Sequence, residues 1–233
     1  MITPRHLLVF LLATAALHTS GQQAYLLTGM TRSEFLYKDS QGRSLDGMHP
    51  QVGLSLAGGL RQAFRPLNPA WFFNVGVVYA HYGMRGTSPD IHRRYYEWRT
   101  TYLGINLGVE RDLFTVKLPN RDGKGLTFML GAAAAPEFLV KGAQTIDHEV
   151  YDLHGVEQFD APFLFLRGIA GFNFCVTNRT AIAAHYAFAH GRRFPGRAPT
   201  DDERLAFRTH SIAFGVQISF PSCKYCLSKL GKH

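Results

Sequence analysis

From Ser211 to Phe220 the chain alternates strictly. Ile212, Phe214, Val216, Ile218 and Phe220 are apolar, whereas Ser211, Ala213, Gly215, Gln217 and Ser219 are small or polar. A period of two sorts side chains onto the two faces of a strand; a helix would scramble it. The same sorting sets Val52, Leu54, Leu56 and Leu60 against Gly53, Ser55, Ala57 and Gly59, and Leu103, Ile105, Leu107 and Val109 against Gly104, Asn106, Gly108 and Glu110. In all it predicts eight strands: 24–35, 51–61, 71–82, 102–110, 126–140, 163–176, 181–190 and 211–220.

Eight alternating strands build either a soluble barrel or sandwich with an apolar interior, or an outer-membrane barrel with an apolar exterior. The non-apolar parity separates the two. A water-exposed face would carry Lys, Glu and Thr, but here that parity is mostly Gly, Ala, Ser and Asn. Small residues suit the crowded lumen of an eight-stranded barrel. The few charges in it, Arg61, Glu110, Glu137 and Arg167, have both signs and can pair inside a narrow lumen, whereas each would be costly facing lipid. The expected fold is therefore all-β, an eight-stranded antiparallel transmembrane β-barrel with these four residues as an internal charge network.

With both termini periplasmic, the outer connections are 38–49, 84–95, 141–160 and 191–204, which are long and polar. The periplasmic ones are 62–69, 112–124 and 177–179, shorter on average, as such barrels require. Aromatics gather at strand ends and predict two interfacial girdles. Trp71, Phe72, Phe73, Phe128, Phe172, Phe174 and Phe220 form the lower one; Tyr79, Tyr82, Tyr95, Tyr96, Trp98, Phe138, Tyr186, Phe188 and Phe207 form the upper.

Composition agrees once the two parities are separated. The mean hydropathy of -0.08 averages an apolar face against a polar one. The longest uncharged apolar run, Leu7–Leu17, is too short for a transmembrane helix. That run follows a basic start and precedes the small residues Thr19, Ser20 and Gly21, the pattern of a cleavable secretory signal over residues 1–21. The barrel then spans 22–220, and 221–233 forms a basic periplasmic tail containing Cys223-Lys224-Tyr225-Cys226. Export makes Cys175, Cys223 and Cys226 disulfide-permissive. Cys175, facing the lumen near the periplasmic end of its strand, is expected to pair with Cys223 or Cys226 and pin the tail beneath the barrel.

The pattern resembles the eight-stranded outer-membrane barrel family of Bacteroidetes that includes the PorT-like proteins. The resemblance rests on strand and loop spacing, on the segment Tyr102-Leu103-Gly104-Ile105-Asn106-Leu107, and on a terminal strand ending in Phe220. It covers nearly the whole chain after the leader, brings no catalytic signature, and implies an outer-membrane location and an accessory role in a secretion machine.

The formal net charge is +8, and arginines gather in and beside the second and fourth outer connections. Arg93, Arg94, Arg99, Arg192, Arg193 and Arg197 are candidate contacts for anionic lipid, lipopolysaccharide included, because guanidinium suits phosphate. Nothing resembles a nucleic-acid module. Asp147, His148, Glu149, Asp152, His154, Glu157 and Asp160 crowd loop three without the spacing of a calcium or zinc site, and no cofactor motif occurs. Ser88, Asp90 and His92 lie too close together in one loop for triad geometry. Asn178-Arg179-Thr180 matches a glycosylation sequon in a three-residue turn and reads as chance. The sequence thus points to a non-enzymatic outer-membrane barrel with a structural or surface-binding role, meeting envelope lipids and protein partners through its loops.

Overall fold

The computed structural model describes residues 22–38, 41–42, 47–64, 70–87, 95–117, 125–177, 179–194 and 204–220. The predicted leader, the tail and parts of six connections lie outside them. Nine strands and one short helix are described: β1 (Gln22–Lys38), β2 (Met48–Ala63), β3 (Trp71–Thr87), β4 (Tyr95–Lys117), β5 (Gly125–Ile146), β6 (Glu149–Asp152), α1 (Glu157–Asp160), β7 (Phe163–Cys175), β8 (Thr180–Arg193) and β9 (Arg204–Ser219). Eight of the strands pair antiparallel with their neighbours in the order β1-β2-β3-β4-β5-β7-β8-β9, and β9 pairs back onto β1. The sheet closes into a ring. The ninth, β6, folds back on the outer end of β5 through a turn at Asp147, whose φ of 54° is tolerated by a short polar side chain.

The alternation decides which face is which. Met30, Val52, Val77, Ile105, Leu166 and Ile212 are all more than half exposed on the outside, while the chain neighbours Thr31, Val78 and Phe165, on the other side of the wall, are buried. A continuous apolar belt on a closed barrel is untenable in water but matches lipid, where every strand backbone must be satisfied by its neighbours. The rival soluble barrel, with its apolar face inside, is thereby excluded. Among the described residues no helix is long and apolar enough to cross a membrane; the strands do so.

Hydrophobic alternation marks only the part of each strand that lies in the belt. β4 begins at Tyr95 rather than at residue 102, β5 continues to Ile146, and β9 begins at Arg204. Much of what was expected as outer loop is therefore strand: above the belt the outer face turns polar, as at Arg99, Arg192 and Arg208, so the lipid-imposed apolar period ends while the pairing persists. At the other end β4 runs to Lys117, well into the expected 112–124 connection. A bulge between Asp112 and Phe114 shifts the register there and leaves both Leu113 and Phe114 exposed.

Candidate functional site: a sealed lumen and a basic outer rim

At the periplasmic end of the lumen, β2 carries Arg61 inward and β4 carries Glu110 and Asp112. Arg61 is 1% exposed, and its guanidinium reaches across β3 to both carboxylates. Nε lies 2.6 Å from Glu110 Oε2 and Nη2 2.9 Å from Asp112 Oδ1. Nη1 donates to Gln23 Oε1 at 3.0 Å, and the guanidinium sits 3.4 Å from the centroid of the Phe72 ring. Asn74 Nδ2 donates to the second oxygen of Glu110 at 2.8 Å, so β1, β2, β3 and β4 are tied at one level. Such a cluster is stable only when nearly every donor and acceptor is matched.

Higher in the lumen, Arg167 of β7 pairs with Glu137 of β5, and Tyr82 donates to the other oxygen of Glu137 at 2.9 Å. The four charges expected as one network thus divide into two groups. Asp112, Gln23, Asn74 and Tyr82 complete them. Asp112 was hidden because its segment read as a turn; the other three are polar residues on the lumen parity, which alternation alone does not assign partners.

Above Tyr82 the lumen is filled by rings. Phe207 meets Phe35 and Phe163 edge to face, at 4.6 and 4.8 Å between centroids, and Tyr82 stacks on Phe165 at 5.2 Å. The segment after β6 turns into this mouth: Leu153 and Phe159 are buried, and Tyr102 OH donates to the Phe159 carbonyl at 2.9 Å. Leu153 packs over Gly142, where a Cβ would lie 2.8 Å from that of Leu153; Gly191 likewise makes way for the Phe165 ring. Of the expected upper girdle, Tyr82, Trp98 and Phe207 are therefore interior, and Phe72 of the lower girdle is interior too. Their parity places them inward; being aromatic at a strand end does not suffice for a place at the interface. Tyr186, Phe188 and Phe138 do face outward, as do Trp71, Phe73, Phe172 and Phe220.

Between the two closures lies a cavity of about 110 Å³ with a mixed lining, in which Leu27, Val78 and Ile169 stand beside the polar Tyr25, Asn106, His185 and Gln217. His185 Nε2 and Gln217 Oε1 have no hydrogen-bond partner among the described residues, and the cavity is wide enough to hold ordered water beside them.

The acidic and histidine-rich loop makes local turns. Asp147 Oδ1 accepts from the Tyr95 amide at 2.9 Å, and Glu149 accepts from Tyr151 OH. Asp152 Oδ1 accepts from the His154 amide at 3.0 Å and lies 2.8 Å from its Nδ1. The His154 amide, and then its ring, hold the Asp152 carboxyl below its usual range; the same ring contact holds the His154 imidazole above its own. Among the described residues no three of His, Cys, Asp and Glu converge as a metal site. Cys175 is disulfide-bonded; Cys223 and Cys226 lie outside the described residues, as do Arg93, Arg94 and Arg197, the loop residues Ser88, Asp90 and His92, and Asn178.

Arg99 stands on β4 with its side chain 74% exposed, 2.9 Å from Glu97. Arg192 and Arg193 end β8, far round the ring from β4, with Arg192 Nε donating to His190 Nε2 at 2.9 Å. The loop arginines that are described do not form one patch. The sequence reading missed that Arg32 and Arg208, on β1 and β9, extend the β8 group.

This is an outer-membrane β-barrel. Among solved structures, the chain is similar to Neisserial surface protein A (13% identity, TM-score 0.48, covering 86% of this chain and 98% of that one). It is also similar to OprG from Pseudomonas aeruginosa (12%, 0.44, 86% and 98%). A third is Ail, the attachment invasion locus protein of Yersinia pestis, in complex with the heparin analogue sucrose octasulfate (16%, 0.37, 85% and 99%). All three are outer-membrane barrels. No protein-family model and no curated protein sequence matches the chain.

Proposed function

We propose that this barrel is a non-enzymatic outer-membrane protein that works at its outer rim, as a structural or surface-binding element, and not by conducting solutes through its lumen. The observation that carries the reading is the double closure, by the Arg61 cluster below and by the Phe207 ring cluster with Leu153 and Phe159 above. An eight-stranded lumen is ordinarily filled by side chains, and this one is filled by groups that hold one another in place. The loop arginines supply contacts for anionic envelope lipid. Full-length protein refolded into planar bilayers should give no unitary conductance steps; reproducible steps would refute the reading.

A finer reading, an accessory component of a secretion machine as in PorT-like proteins, is favoured by the wall that β4, β5 and β6 raise beyond the belt. Strand backbone and exposed side chains such as Val150 and Tyr151 there offer a surface to a protein partner. Stoichiometric machinery should then co-purify in mild detergent, and its absence would remove this version. The leader, with cleavage after Gly21, and the pinning of the tail to Cys175 belong to the same proposal. Mass analysis of the exported, non-reduced protein tests both: a mature chain starting elsewhere, or a Cys175 peptide linked to neither Cys223 nor Cys226, would refute them.

A further inference from the structure

Two features lie one above the other on the outer surface of β8, β9, β1 and β2. The lower is a shallow apolar trough of about 630 Å³ at the outer edge of the belt, walled by Met30, Leu54, Ile212 and Phe214, with Thr28 on its floor. Arg32, Tyr186 and His210 close its upper rim, where Tyr186 Oη and His210 Nδ1 lie 2.7 Å apart. The upper feature is cationic. Register sets Arg32 beside His210, Glu34 beside Arg208 and Lys38 beside Arg204, while β8 adds His190 beside Arg208 and Arg192 beside Ala206. Among the described outward residues here, Arg32, Lys38, Arg192, Arg204 and Arg208 face a single acid, Glu34, which is 3.6 Å from Arg208. A second concavity, of about 670 Å³, opens among Lys38, Arg192 and Arg204.

A smooth barrel wall gives bulk lipid no reason to prefer one sector, but a trough that seats a chain directly beneath a nearly uncompensated cationic cluster does. A neutral lipid would leave the cations unmatched, and a free phosphate would leave the trough unused. We propose that this sector is one binding site for a multiply acylated, phosphorylated lipid of the outer leaflet, with an acyl chain in the trough and phosphate held by Arg32, Arg192 and Arg204. The site deepens the rim reading given above; its test reads lipid binding, whereas failure of that reading would show as conductance.

The experiment titrates refolded full-length protein in detergent with hexa-acylated bisphosphoryl lipid A and counts bound lipid by native mass spectrometry. The wild type should retain one lipid. Replacing Arg32→Gln, Arg192→Gln and Arg204→Gln together, all exposed and outside the core, should weaken binding roughly a hundredfold, given what each cation contributes near an anionic lipid surface. Filling the trough with Thr28→Trp should weaken it although every charge remains. Arg111→Gln at the periplasmic end should change nothing, and inorganic pyrophosphate should not compete. Equal affinity in the triple variant would overturn the proposal. So would an effect of Arg111→Gln as large as that of the triple, or unaltered binding by Thr28→Trp together with competition by pyrophosphate.

Discussion

The two ends of the lumen are closed by different physics. At the periplasmic end a buried guanidinium is matched against two carboxylates and an amide, each donor aimed at a named oxygen. At the outer end, rings fill most of the space, and the hydroxyls of Tyr82 and Tyr102 add directed bonds. A polar closure is all-or-none, because removing one partner strands the others in a place water reaches poorly. An apolar closure degrades by degrees, since neighbouring rings can partly settle into a gap. The lower end therefore acts as the staple of the barrel, and the upper end as a stopper made partly of chain that follows β6.

The hardest way to break that contrast is Arg61→Met. It should lower unfolding free energy by about 4 kcal/mol, measured by urea unfolding of protein folded in micelles, because Glu110 and Asp112 are left buried without their cation. Adding Glu110→Gln and Asp112→Asn should recover most of the loss; strict additivity would show that the three groups do not act as a unit. Phe207→Ala comes next, at about 3 kcal/mol, and should show no such recovery on further truncation of Phe163. A smaller effect sharpens the contrast in space. Gly142→Ala, at about 2 kcal/mol or less, should push Leu153 away and raise amide exchange at Leu153 and Phe159, with the amides around Arg61 unchanged.

The smallest effect is a titration. The contact of His154 with Asp152 raises the histidine above its ordinary value near 6.5. Its contribution to the turn is thus complete at pH below that value and is lost as pH rises through the higher folded midpoint. Asp152, held low, contributes above its ordinary value near 3.8 and loses that contribution as pH falls through its lowered midpoint. The turn is best formed between the two. Asp152→Asn should bring the His154 midpoint, followed by NMR, back toward 6.5, and no change would show that the contact does not persist in solution.

Most of the belt was legible in the sequence because lipid imposes a period of two on the strands it touches. Met30, Ile212 and Phe214 follow that rule, whereas in β1 the inward Leu27 and the outward Thr28 break it. The lumen was legible by sign but not by partner: parity places Arg61 and Glu137 inside, yet whether they meet depends on barrel shear and on register across non-neighbouring strands. Asp112 escaped because β4 continues past the point where its outer face stops alternating. Tyr82, Trp98 and Phe207 were misplaced for a related reason. An aromatic at a strand end suits an interface or a plugged mouth equally well, and only its parity distinguishes them. The short α1, with Phe159 turned into the mouth, has no periodic signal at all; four residues are too few to establish one.

The central claim is a lipid-facing belt around a sealed lumen, and the two tryptophans report on it directly. Trp71 points outward in the belt near its periplasmic edge, and Trp98 points inward beside the stopper. In bilayers of brominated lipid, fluorescence of Trp71 in a Trp98→Phe protein should be strongly quenched by the acyl-chain bromines and little affected by aqueous iodide. Trp98 in a Trp71→Phe protein should be protected from both. Iodide quenching of Trp98 as efficient as that of free tryptophan would mean an open, water-filled mouth, and bromine-insensitive but iodide-quenched Trp71 would mean that the belt does not face lipid.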